Sequence, residues 1–199
     1  PDVWIATDDI YEHIRWSSEP FCNVLTVDPS LKSRTVVIHG VSKTYAMTGW
    51  RIGYAAGPAD LIEVMTNIQS QSTSNPCSIS QAAAEAALEG DQRTVDNMVH
   101  AFKLRHDYIV EALNQIDGVS CLPADGTFYV FPNFQAVIDK MENVQDDVAL
   151  AEYLIQQAKV ALVPGSAFGA PGYLRLSFAT SMPNLEASMS RLHQALSTL

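Results

Sequence analysis

Cysteine is scarce in this 199-residue chain: Cys22, Cys77 and Cys121 are three in number, far apart, and include no CxxC pair. That pattern excludes a disulfide framework and leads us to expect reduced, mostly packed thiols. Basic residues are also few. Twelve Lys and Arg stand against 22 Asp and Glu, for a net charge of −10. A nucleic-acid partner requires a basic face, so none is expected. No run of 18 apolar residues and no signal-peptide pattern occurs, so we expect no membrane partner and a soluble, cytoplasmic protein. A P-loop and a GxGxxG motif are both missing. The five histidines (His13, His39, His100, His106, His193) show no HExxH or other ligand spacing, so no metal site is expected. GSAFG at 165–169 is not a GxSxG elbow and reads as a loop.

What is present is apolar: 47% of the residues are hydrophobic, enough for one domain or two small ones. The chain opens PDVWIATDD, without methionine and almost at once in a strand-like run, and we expect a piece of a longer protein. Val3–Thr7 and Thr35–Gly40 (TVVIHG) are short continuous apolar runs of the kind buried on both faces of a parallel sheet. Arg51–Gly57 is a third strand. The ten residues between the second and third strands are too few for a parallel crossover, so the third is expected to run antiparallel. A helix after Pro58 places Leu61, Ile62, Val64, Met65 and Ile68 on one face. Ser78 and Gln81 read as a capping box before an alanine-rich helix that stops at Gly90. A long helix from about 91 to 117 ends at Gly118, with Val95, Met98, Val99, Phe102, Ile109, Leu113 and Ile116 as its stripe. Met65, Met98 and Met189 read as core. A hairpin of 119–122 with 127–131 follows, then a helix over 146–158, strands at 160–163 and 173–178, and a closing helix from Pro183. The fold class is α/β: part of a mostly parallel sheet, then an α+β domain. The boundary is expected near residue 104, giving domains 1–104 and 105–199.

The stretch SKTYAMTGWRIGY, residues 42–54, sets Lys43 and Arg51 among apolar neighbours just past a strand. Asp8 and Tyr11 lie at the end of the first strand, and ligands of α/β sheets gather beyond the carboxyl ends of strands. Taken alone, Asp8 or Asp9 reads as a helix or turn cap and Tyr11 as a snorkelling aromatic. Taken together, the residues form a chemical set. A lysine amine forms a Schiff base with an aldehyde cofactor. A carboxylate keeps a pyridine nitrogen protonated, so that the ring absorbs carbanion charge. A phenol donates to a ring oxygen, while an arginine and a serine hold a phosphate. Lys43, Asp8, Tyr11, Arg51 and Ser42 supply all five functions for pyridoxal phosphate.

SKTYAMTGWRIGYAAGP resembles the cofactor-lysine region of class I aminotransferases of the aspartate aminotransferase family, which have fold type I. TDDIYEH, QSQSTSNP, GTFYVFP, VPGSAFG and YLRLSFATS fit the same family in the same order. The resemblance implies that Lys43 is the Schiff-base lysine and proton shuttle, Asp8 the partner of the pyridine nitrogen and Tyr11 the donor to the ring oxygen. Ser42 and Arg51 become phosphate ligands, and Arg175 the arginine that grips a substrate α-carboxylate. Arg175 shares a strand face with Tyr173 and Ser177, opposite Leu174, Leu176 and Phe178; without the family, a solvated arginine is the favoured reading.

The implied function is transamination between an amino acid, aspartate first, and a 2-oxo acid such as 2-oxoglutarate, by a homodimer of the longer protein. Family members are about twice this length. The half they carry in addition holds the phosphate turn, the ring-stacking aromatic, an asparagine on the ring oxygen and a tyrosine lent across the dimer. The chain is therefore read as the carboxyl-terminal half, with an incomplete site and no activity alone. Two alternatives stay open: another lyase or synthase of fold type I, or an aminotransferase-like effector-sensing domain of a transcription regulator.

Overall fold

The computed structural model describes residues 3–197. The chain divides into two compact units, the first ending at Val99 and the second starting at His100.

The first unit is built on a three-stranded sheet of β1 (Ile5–Asp8), β2 (Thr35–Gly40) and β3 (Gly53–Ala56) in that order. β1 and β2 are parallel, Ile5 opposite Thr35 and Asp8 opposite Ile38. β3 is antiparallel to β2, Gly40 opposite Gly53, as the short connection requires. A short helix α1 (Val24–Val27) lies between β1 and β2, and α2 (Ala59–Ser72) and α3 (Ser78–Glu89) follow β3. α4 (Arg93–Asn114) spans the division between the units.

Several expectations need correction here. The strands are not buried on both faces: every β1 residue is half-buried or exposed, as are all four inner residues of β2, and Ile38 is 41% exposed. No residue of α2 is buried: Leu61 and Ile62 of its apolar stripe are half-buried, Val64, Met65 and Ile68 are exposed, and Met65 is not a core residue. Hydrophobic periodicity records which face seeks cover, not whether cover is present. The capping box is absent. Cys77 occupies the N-cap of α3 without a side-chain bond, and Gln81 Nε2 donates instead to Pro76 O at 2.9 Å. Cys22 and Cys77 are exposed free thiols; only Cys121 is packed, and burial pushes it up to about 11.

In the second unit the stripe of α4 is buried at Phe102, Ile109 and Leu113, and Ile116 just beyond the helix is buried too. The helix ends before 117 because Asn114 turns to Cys121, accepting its N–H at 2.8 Å and donating to its carbonyl at 2.9 Å. The hairpin does not form as a ladder. Ser120 and Asn133 make a single antiparallel bridge. The intervening segment is tied to α4 instead, Ala124 N–H donating to buried His106 Nε2 at 2.8 Å. β4 (Tyr129–Val130) pairs with β6 (Leu174–Ser177), which also pairs with β5 (Val163–Pro164); β6 is thus central and antiparallel to both. A short α5 (Gln135–Ile138), α6 (Asp147–Gln157, N-capped by Asp146) and α7 (Met182–Leu196, N-capped by Ser181) complete the unit. Phe134, Leu150, Leu154, Leu174, Phe178 and Leu192 form its fully buried centre.

Candidate active site

The mixed sheet explains how residues far apart in sequence come to one place. Parallel β1 and β2 end at the same edge, and antiparallel β3 begins there. Asp8 is the last residue of β1, Ser42 and Lys43 follow the end of β2, and Arg51 stands two residues before β3. Tyr11 lies in the turn after β1, with its carbonyl accepting Ile14 N–H at 3.0 Å. Five of the six expected site residues therefore belong to one end of one sheet. Arg175 belongs to the second unit, on β6.

Close strand approach at this edge needs glycine. A Cβ on Gly53 would meet His39 O at 2.9 Å, and one on Gly40 would meet Gly53 Cα at 3.2 Å.

The lysine loop is held against α3. Val41 and Met47 pack with Ala84, and the buried Ser80 hydroxyl donates to Trp50 O at 2.9 Å. Tyr45 OH donates to Gln92 Oε1 at 2.9 Å. Two non-glycine residues of the loop are left-handed, Ala46 at φ +53° and Arg51 at φ +51°. Each such residue costs roughly 1–2 kcal/mol. Thr44 Oγ1, beside Lys43, is buried without a hydrogen-bond partner, which costs about 1–3 kcal/mol more. Strain and an unsatisfied polar atom gathered around one half-buried lysine mark a segment shaped for a purpose other than stability.

The donor set fits an anionic, aromatic aldehyde cofactor. Asp8 is exposed, and its Oδ1 accepts Ile10 N–H at 3.2 Å, a turn contact that leaves the second oxygen available. Arg51 donates one N–H to Thr48 O at 3.0 Å and keeps its remaining donors. Ser42 is half-buried next to the lysine. Asp9 is the structural partner of the pair: it is buried, takes Thr7 Oγ1 at 2.7 Å and Asn23 Nδ2 at 2.9 Å, and so pins the turn after β1.

Sequence spacing missed one cluster at this edge. Glu12, His13 and His39 bring their ligand-type atoms within 4.8 Å of one another. His39 stacks on Tyr54 at 5.4 Å, its Nδ1 accepts Gly40 N–H at 2.7 Å, and its Nε2 lies 3.2 Å from Glu12 Oε2. With Nδ1 accepting from Gly40, Nε2 is the ring nitrogen that donates to Glu12. Burial, then the Tyr45 and Glu12 charges, push the Tyr54 phenol above its usual value.

Arg175 is not simply solvated. It is half-buried, with its guanidinium carbon 4.5 Å from the Tyr129 ring centre and 4.6 Å from that of Phe168. Strand alternation had separated it from buried Leu174, Leu176 and Phe178, and the structure keeps that division.

Residues 2–192 match the family model for aminotransferase class I and II. The chain belongs to the class I and II aminotransferases. An aspartate/prephenate aminotransferase of Nitrosomonas europaea is 54% identical over 202 residues, covering 99% of this chain and 51% of that protein. An aspartate aminotransferase of Rhizobium meliloti is 44% identical over 100% of this chain and 50% of its own length. Among solved structures, an aspartate aminotransferase of Rhizobium meliloti superposes with a TM-score of 0.93 at 43% identity, over 99% of this chain and 50% of that one. An aromatic aminotransferase of Pyrococcus horikoshii gives 0.90 at 32% identity, over 99% and 52%. This aminotransferase chain thus spans about half the length of the curated relatives it matches. Pyridoxal phosphate is the cofactor that the class I family implies in general.

Proposed function

We propose that this chain supplies the lysine-bearing part of a pyridoxal-phosphate transamination site. The observation that carries this reading is that residues bearing an amine, a carboxylate, a hydroxyl and a guanidinium all belong to one end of one sheet, beside a strained lysine loop. When bound, the cofactor supplies an electron sink for charge developing on an amino acid's Cα. Lys43 Nζ is the amine that would hold the cofactor through its aldehyde group, and the same amine would take up and return the proton at the substrate Cα. The Asp8 carboxylate would accept from the pyridine N–H and keep that nitrogen protonated. Tyr11 would donate its phenol O–H to the ring oxygen. Ser42 and Arg51 would hold the phosphate, the arginine by charge-assisted bonds. Arg175 pairs with the substrate α-carboxylate.

Aspartate is the proposed amino donor, following the names of the relatives, and 2-oxoglutarate is the proposed oxo-acid partner. The working form is a cytoplasmic homodimer of a longer protein, in which residues from the remainder of a relative's length complete the site. The first unit contributes to the cofactor-binding domain and the second forms the small domain. The 199 residues alone are expected to bring about no turnover, because the resemblance puts the ring-stacking aromatic and the phosphate turn in the half of a relative's length that this chain does not span; a misplacement of about 1 Å costs on the order of 100-fold in rate.

Borohydride reduction of the cofactor-loaded protein that carries this chain, followed by peptide mapping, should place the pyridoxyl label on Lys43. A label on Lys32, Lys103, Lys140 or Lys159, or no label at all, overturns the assignment.

A further inference from the structure

The guanidinium of Arg175 has an unusual setting for a half-buried cation. Among the described residues its side chain makes no hydrogen bond and no ion pair; its close neighbours are two aromatic rings. β6 is the central strand of its sheet. Tyr129 comes from β4 on one flank, opposite Ser177, and Phe168 from the turn that follows β5 on the other, where Val163 lies opposite Arg175. Rings that approach from both flanks attract the cation through their π faces and exclude water from the flat sides of the group. What remains for hydrogen bonding is its edge, a planar fork of N–H donors whose geometry matches one carboxylate.

The Phe168 side of this arrangement is itself built. Asp147, buried at the start of α6, accepts Ser166 N–H at 2.7 Å and so anchors the turn. A Cβ on Gly165 would meet Ala170 O at 2.3 Å, so the turn closes only around glycine. Phe131 meets Phe168 edge-on at 6.2 Å. VPGSAFG, a loop with no role of its own in the sequence reading, thus delivers one aromatic ring to one arginine.

We propose that Tyr129 and Phe168 are positioning residues that hold the Arg175 guanidinium with its N–H edge presented to a planar carboxylate, and that this orientation sets carboxylate affinity. The proposal rests on reading Arg175 as the carboxylate-binding arginine. Neither aromatic touches the reacting atoms; both act through Arg175.

The test is maleate binding to the full 199-residue chain, followed through the Arg175 Nε–Hε resonance. Maleate should move that resonance in the unmodified chain, and Arg175→Met should abolish saturable binding. Tyr129→Leu and Phe168→Leu should each weaken binding roughly two- to fivefold. In the absence of maleate they should also shift the resonance, because a ring current is lost. Tyr129→Phe keeps the ring and should restore both affinity and resonance. Phe168 lies half-exposed in a turn, so its variant gives a folded readout even where Tyr129→Leu unfolds the unit. If Arg175→Met loses maleate while both leucine variants bind like the unmodified chain, the positioning role is overturned and the carboxylate reading stands. Weakening by Tyr129→Phe equal to that of Tyr129→Leu overturns it as well, because the hydroxyl and not the ring then matters. If Arg175→Met binds maleate as the unmodified chain does, the carboxylate reading falls, and the positioning role falls with it.

Discussion

The two units of this chain bury their apolar residues very differently. Up to Val99 the buried apolar side chains are Ile14, Val41, Met47, Ala84 and Val95, most of them gathered under the lysine loop. From His100 onward they come from α4, β4, α5, α6, β6, α7 and the segments that join them, and they include the largest fully buried side chains except Ile14 and Val41. The first unit meanwhile exposes Trp4, Ile38, Trp50, Tyr54, Val64, Met65 and Ile68. Its order comes from sheet hydrogen bonds and from the packing of one loop on α3, whereas the second unit closes around a core of its own. Surfaces of the first kind mark places where other protein is meant to lie, and exposed sheet edges of this type self-associate. The unit that carries the proposed chemistry is thus the less self-sufficient one.

The largest effect expected from a single change lies in the second unit. Phe134 is fully buried, and Phe134→Ala should cost about 3–5 kcal/mol, measured as a loss of the second unit's cooperative transition in denaturant. A first-unit variant of equal severity would break the contrast.

Gly53 sharpens it from the other side. Because a Cβ there would meet His39 O at 2.9 Å, Gly53→Ala should cost about 1–3 kcal/mol through forced strand displacement. Hydrogen exchange should quicken at β2 and β3 and stay unchanged at α6 and α7.

Asp147 adds a pH dependence confined to the second unit. Burial raises its carboxyl, but the Ser166 backbone and side-chain bonds outweigh that and hold it below the usual value of 3.8. A depressed carboxyl contributes stability that is present above that value and is lost as pH falls through the lower, folded one. The second unit should therefore weaken as pH drops below about 3.8, and Asp147→Asn should flatten that part of the profile in pH-dependent melts.

The smallest expected effect is at the bare face of α2. Met65→Ser with Ile68→Ser should change stability by no more than about 0.5 kcal/mol while shifting sedimentation toward the monomer. A large loss of stability there would show that the face is covered.

How much of this was legible from residues alone follows the same division. The antiparallel third strand was readable because a ten-residue connection cannot cross over. The sheet-edge site was readable because its groups lie within a few residues of recognisable strand ends. Exposure was not, since a periodic apolar face looks identical whether covered or bare. The Glu12–His39 pair and the rings around Arg175 depend on strand register, His39 beside Tyr54 and Arg175 beside Val163, which no local spacing encodes. The capping box failed because Gln81 found a nearer acceptor in Pro76, and the hairpin failed because His106 claimed Ala124. In each case a tertiary partner outcompeted a local motif.

The most direct measurement is transaminase turnover by the 199 residues with pyridoxal phosphate, aspartate and 2-oxoglutarate, first alone and then with the remaining half of a relative's length added as a second polypeptide. The account predicts no turnover from the chain alone and its appearance in the mixture, lost again when Lys43→Ala is used. Substantial turnover by the chain alone would show that the 199 residues already hold a complete site, and would contradict it.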